Sequence, residues 1–238
     1  HAPFLSAIAP GMLSMNSFSE LPYPRDLAKL FETTDYARWR SFRQTDDSRY
    51  VGLTLPQSLG RIPYGMKTVP AETFNFEEHI SEDNSGKDYL WVNTAFELAC
   101  RIVDAFEEYG WCAAIRGVEG GGLVKSLPAY NYTSHTGERL LQCPTEVAIS
   151  DRREKELSDL GFIPLIYCKG TDFAAFFAVQ SVNKPRQYNT DQANANARLS
   201  SQLQYILATS RFAHYLKVIV RDKVGSFMSK TECQTYLQ

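Results

Sequence analysis

The sequence predicts an α+β body, a mixed α/β arrangement in which helices pack on a central sheet. Three observations predict it. Apolar residues recur at helical spacing from Val92 to Phe106, short apolar runs such as Tyr50–Leu55 and Phe162–Cys168 read as strands, and a second helical stretch runs from about Asp191 to Gly225. With 238 residues, 44% hydrophobic and 13% aromatic, the chain can bury a sizeable core as one large domain or two small ones.

Up to Gly65 the chain is broken by Pro10-Gly11, Pro22, Pro24, Pro56 and Pro63, with short helices expected at Arg25–Phe31 and Tyr36–Arg43. In YVGLTL, Val51, Leu53 and Leu55 alternate with Gly52 and Thr54, as in a half-buried strand. Lys67 to Lys87 carries five acidic residues and reads as a surface connection, with a sub-boundary near 66–87. Val92, Ala95, Phe96, Ala99, Ile102, Val103 and Phe106 form the expected inner face of a helix that Gly110 stops. WCAAIR, 111–116, reads as a buried strand, followed by strands at 146–150, 162–168 and 174–182, with a charged helix at Asp151–Leu160. Pro164 places the 162–168 strand at a sheet edge, and a hairpin is expected around Lys169–Asp172. LSSQLQYILATS, 199–210, has no charge, so it is expected to be buried on several sides, either within this domain or against another subunit. The box Ser229-Lys230-Thr231-Glu232 opens a last helix that Gln238 leaves unfinished, so the chain reads as a piece of a longer protein.

Charge and cysteines narrow the function. Lys and Arg number 25 against 27 Asp and Glu, a net charge of −2 that gives no overall pull toward nucleic acid or an anionic membrane. Five cysteines, none in a C-x-x-C pair, argue against a disulfide framework and fit a reducing cytoplasm. No apolar run approaches the ~20 residues of a membrane-spanning helix.

GVEGGGLVKS, 117–126, looks at first like a phosphate loop. In a P-loop the lysine must follow the last glycine directly, whereas Leu123 and Val124 separate Gly122 from Lys125, and Leu127-Pro128 is a poor start for the helix that would hold the anion. The dinucleotide spacing fails as well, leaving a glycine loop that needs positive φ or close backbone approach. His135 and Glu138 are spaced H-x-x-E without a second histidine, and His214 reads as a core or interface histidine. No G-x-S-x-G elbow or cysteine signature is present, and Cys112 and Cys168 fall in expected apolar strands. ARWRSFR interleaves Arg38, Arg40 and Arg43 with Trp39 and Phe42, which suits either nucleic acid or an amphipathic element whose aromatics pack inward and whose arginines pair with acids on the same or a neighbouring subunit. An enzyme with an unrecognised site is the remaining alternative; no catalytic residue, metal or cofactor is assigned.

Several runs are distinctive together: ARWRSFRQTDDSRYVGLTLP, YGWCAAIRGVEGGGLV, CPTEVAISDRREKELSDLGFIPL, KGTDFAAFFAVQS and ANARLSSQLQYILATSRFAHYLKVIVRDKVGSFM. They closely resemble the large sheath subunit of the type VI secretion system, the TssC family, also called VipB or EvpB. The resemblance covers nearly the whole chain and implies that 1–238 is the central body of a contractile-sheath subunit, lacking the family's N- and C-terminal regions. It further implies a cytoplasmic, non-enzymatic protein that assembles with a TssB-like small subunit and neighbouring copies around an Hcp inner tube, on a baseplate, with a ClpV ATPase recycling the sheath. On that resemblance, Arg116, Gly117, Glu119, Gly120, Gly121 and Gly122 form a tight connection for close approach of another chain or segment. Arg38, Arg40, Arg43, Arg211 and His214 are further structural or interface candidates.

Overall fold

A mixed sheet of five strands divides two apolar cores. The computed structural model describes residues 2–65, 76–81, 86–133, 136–225 and 229–237; the H-x-x-E histidine, His135, and most of the expected connection at 66–87 lie outside them. In chain order the elements are β1 (Phe4–Ala7), α1 (Leu27–Glu32), α2 (Ala37–Arg43), β2 (Val51–Leu55), β3 (Ser58–Leu59), β4 (Trp91–Val92) and α3 (Ala95–Tyr109). They continue with β5 (Leu123–Val124), β6 (Asn131–Thr133), β7 (Arg139–Leu141), α4 (Asp151–Asp159), β8 (Ile163–Tyr167), β9 (Ala174–Phe176), α5 (Asp191–Ser200), α6 (Leu203–Asp222) and α7 (Lys230–Leu237).

The main sheet runs β1-β2-β8-β9-β5, with β1, β2 and β8 parallel and β9 antiparallel to both β8 and β5. Period-two alternation along β8 sends Ile163 and Leu165 to one core and Phe162 and Ile166 to the other. The first core is built from Leu13, Phe18, Leu27, Phe31 and Leu157, the second from Leu98, Ile115, Phe176 and Leu203. Both faces are therefore covered, which is why Gly52 and Thr54 of β2 are as buried as Leu55.

Four expected features differ, the first being that the strand expected at 174–182 ends at Phe176. Pro164 sits in the centre of the sheet and not at an edge, because β2 pairs with β8 only at Thr54↔Ile163 and Leu55↔Pro164, leaving little ladder for the missing N–H to interrupt. Residues 111–116 form a turn and irregular chain in which Ile115 alone is buried, and the strand beside β9 is β5, after the glycines. Residues 146–150 keep the expected alternation, with Val147 and Ile149 buried, but pair with no strand; the Glu146 N–H donates to the Gln57 carbonyl at 2.9 Å. Consequently Cys112 lies in a turn and Cys168 just beyond β8. The 169–172 hairpin forms as expected, and the capping box closes reciprocally, Ser229 N–H to Glu232 Oε2 at 2.7 Å and Glu232 N–H to Ser229 Oγ at 3.3 Å.

Candidate assembly interface

Helix α3 is apolar on two sides. Ala95, Leu98 and Ala105 are buried and Ile102 packs on the second core, whereas Phe96, Val103 and Phe106 are 71%, 62% and 50% exposed. The expected inner face is thus split, and half of it faces outward. Helix α6 behaves similarly along its length. Leu203 and Ile206 are buried and Leu207 packs beside them, but beyond that point Phe212, Leu216 and Val220, four residues apart, are all more than half exposed. Within 199–210 only Ser201, Leu203, Gln204 and Ile206 are buried; Leu199 and Tyr205 are exposed, so burial by the chain itself is confined to the start of α6. These exposed apolar side chains on α3 and α6 make the two helices the candidate contact surface.

Arg211 joins the two helices. Its Nη1 donates to the Gly110 carbonyl, its Nη2 donates to the Tyr215 hydroxyl at 3.2 Å, and its guanidinium lies 4.4 Å from the Trp111 ring centre and 5.1 Å from that of Phe106. Gly110 holds φ +68° as the left-handed cap of α3, which leaves its carbonyl for this cation at the negative end of the helix dipole. Trp111 also meets Phe212 with ring centres 5.2 Å apart. Burial pushes the neighbouring Cys112 thiol above its ordinary range, with Arg211 opposing. His214, three residues on from Arg211, is exposed and meets the Tyr215 ring edge-on, so the core placement is corrected: it lies on the exposed side of α6.

The glycine loop closes on its own chain. Gly117 N–H donates to the Phe176 carbonyl at 2.8 Å, Gly122 N–H to the Gly117 carbonyl at 2.9 Å, and Phe176 N–H to the Gly122 carbonyl at 2.9 Å. Gly121 has φ +88°, and a side chain there would run into the Ala114 carbonyl. At Gly120 a side chain would meet the Arg116 carbonyl, and at Gly122 the Phe176 carbonyl. The segment that approaches closely is therefore the 114–116 backbone together with the end of β9. Arg116 and Glu119 are exposed, Arg116 reaching Gln202 Oε1 at 3.4 Å.

The arginines of α2 part ways. Arg38 is exposed; Arg40 Nη1 donates to the carbonyls of Phe31 at 2.7 Å and Thr33 at 2.5 Å. Arg43 is 7% exposed, donating to the Val182 carbonyl at 2.8 Å and the Asp159 carbonyl at 3.2 Å. For Arg40 and Arg43 the partners within the chain are carbonyls and not carboxylates, which corrects the expected same-subunit pairing with acids at these two positions. Trp39 is half-buried and stacks on Phe162 with ring centres 6.1 Å apart, so one face of the aromatic that would stack on a base is already covered by the core. The sequence offered no signal for the role of Asn183, whose Nδ2 donates to the carbonyls of Arg43 and Thr45 and to Ser48 Oγ, binding the end of α2 to the chain after β9.

Residues 1–183 match the profile of the EvpB/VC_A0108 tail sheath N-terminal domain, and residues 192–238 that of the EvpB/VC_A0108 tail sheath gpW/gp25-like domain. The chain belongs to this tail sheath family. A curated member, the type VI secretion system sheath protein TssC1 of Pseudomonas aeruginosa PAO1, is 54% identical over 238 residues, all of this chain and 48% of its own length. The chain thus spans about half the length of that sheath protein. The two tail sheath spans meet between β9 and α5, so α5, α6 and α7 fall in the gpW/gp25-like part and the five-stranded sheet in the other. Among the described residues no helix is long and apolar enough to cross a membrane.

Proposed function

We propose that this chain is the central body of the large subunit of a type VI contractile sheath, a cytoplasmic structural protein without catalysis of its own. The observation that carries the reading is the 54% identity to a type VI sheath protein across all 238 residues. The exposed apolar sides of α3 and α6 supply what such a subunit needs: surface that stays unpaired until a neighbour covers it. The subunit joins a TssB-like small subunit and further large subunits into a helical tube around an Hcp inner tube, above a baseplate. Its contraction drives effector delivery, and a ClpV ATPase, recognising parts outside 1–238, takes the contracted sheath apart.

Heterologous contacts whose rotation does not close generate such a helix. Contraction requires two arrangements of the same contacts, the extended one less well satisfied. Arg116, Glu119, Arg38 and His214, all exposed, are the polar candidates for those contacts, while Arg40, Arg43, Arg211 and the four glycines hold the body in shape. Electron microscopy of the full-length protein co-expressed with its small partner tests the reading: hollow cog-like tubes are expected, and dispersed particles under conditions where both proteins are folded refute it.

A further inference from the structure

A groove of about 1180 Å³ lies between α1, α2 and α4, on the side of the body away from α3 and α6. Its walls are partly apolar, through Phe31, Trp39 and Ile149, and seven basic side chains line it against four acidic ones. Three of those acids are already paired, Asp26 with Lys29, Glu156 with Arg153 and Asp159 with Arg198, leaving Glu32. Arg40, Arg43, Arg152, Lys155 and Lys184 take part in none of the ion pairs among the described residues. Arg43 is the most telling: a guanidinium more than nine-tenths buried, satisfied by carbonyl dipoles alone, with no counter-charge. Burying an unpaired charge is costly, and an incoming carboxylate offsets that cost. Desolvation holds the pKa of Arg43 down at about 10, so it remains a cation at neutral pH.

We propose that this groove docks an extended acidic segment of a partner polypeptide, apolar side chains lying on Phe31 and Trp39 and a carboxylate neutralising Arg43. Its volume exceeds the ~300–1,000 Å³ of small-molecule sites, which favours a run of several residues. Every charged group lining the groove without an ion-pair partner, Glu32 excepted, is a cation, which suits an acidic chain. A second copy is the weaker donor, since Glu78, in the described part of this chain's acidic connection, is held by Arg61 through two bonds of 2.6 Å. The proposal stands on the groove alone, so tubes can form with it empty and it can fill without tubes.

The test is a positional-scanning library of peptides about twelve residues long, screened on the full-length protein and on the Arg152→Glu/Lys155→Glu variant. Both substituted residues are exposed on α4, so circular dichroism should show an unchanged fold. The expected result is selection of Asp or Glu at one or more positions. The best peptide should then lose about tenfold in affinity when its acid becomes Gln or the double variant replaces wild type. Three results overturn the proposal: no acidic preference, equal binding by the folded double variant, or an oligothymidylate that binds the groove more tightly than any peptide. Self-association that disappears in the double variant, without peptide, overturns it in favour of a second copy.

Discussion

Replacing Gly121 with alanine adds one carbon at the most crowded point of the glycine loop. The added Cβ meets the backbone carbonyl of Ala114, which no rotamer change can move aside, and the residue must hold φ +88°. The left-handed conformation alone costs about 1–2 kcal/mol. Relieving the clash opens the loop and endangers the three bonds that link Gly117, Gly122 and Phe176, each of which contributes about 0.5–1.5 kcal/mol. Together these give about 2.5–6.5 kcal/mol for Gly121→Ala if all three bonds are lost. Gly117 is the internal control: its φ is +74°, yet nothing lies within 4 Å of a Cβ placed there, so Gly117→Ala should cost only the conformational part, about 1–2 kcal/mol. Urea unfolding of the full-length protein, followed by tryptophan fluorescence, measures both. Equal destabilisation by the two substitutions would refute the claim that close backbone approach, rather than backbone conformation, dictates the glycine at 121.

Three further outcomes are expected. Arg211→Lys keeps the charge but loses the planar stack on Trp111, so the protein should lose about 1–2 kcal/mol and show altered Trp111 emission, with Arg211→Ala losing more. Leu216→Glu with Val220→Glu should leave the fold within about 0.5 kcal/mol of wild type, both being more than half exposed, yet abolish tube formation in electron micrographs. Arg61 and the Tyr64 N–H hold Glu78 well below its ordinary value, from 4.5 to about 2. A depressed carboxylate contributes stability above 4.5 that is lost as pH falls toward 2, so protection of the Tyr64 amide from hydrogen exchange should decline in that window, relative to a Glu78→Gln protein that lacks the dependence.

The helices α1, α4 and α7 were legible because each has a local stop or start signal: Asp26 accepting from the Lys29 N–H, Gly161 after α4, and the box at Ser229. β1 was not, since four residues of alternating burial beside Pro3 and Pro10 carry too little pattern to separate a parallel edge strand from a loop. The 111–116 run misled for a different reason: its apolar residues serve a turn that Arg211 clamps from 100 residues away, a long-range contact with no local trace. On α3 the periodicity was real but overloaded. Two apolar sides lie on one helix, one for the core at Leu98 and Ala105 and one left exposed at Phe96 and Val103, and spacing alone cannot say which turns inward. The same limit hid the fate of the arginines, because a basic amphipathic helix reads alike whether its guanidiniums meet phosphates, acids or the carbonyls that hold Arg40 and Arg43.

Helix α6 joins these threads. Its first turn is tied to the chain just after β9: the Leu203 N–H donates to the Val179 carbonyl at 3.0 Å, and both the Ser181 N–H and hydroxyl donate to the Ser201 carbonyl. One turn into its exposed half, Arg211 fastens it to the end of α3, and among the described residues neither core includes an α6 residue beyond Leu207. A load applied to the stripe at Leu216 and Val220 therefore has two fixed routes inward, one through residues 179–181 to β9 and the sheet, the other through Gly110 to α3. Both are hydrogen-bonded attachments to buried elements and neither is a mobile loop. On the sheath reading, this geometry makes the subunit turn as a unit when its neighbour on α6 moves, with the sheet and α3 carried along together.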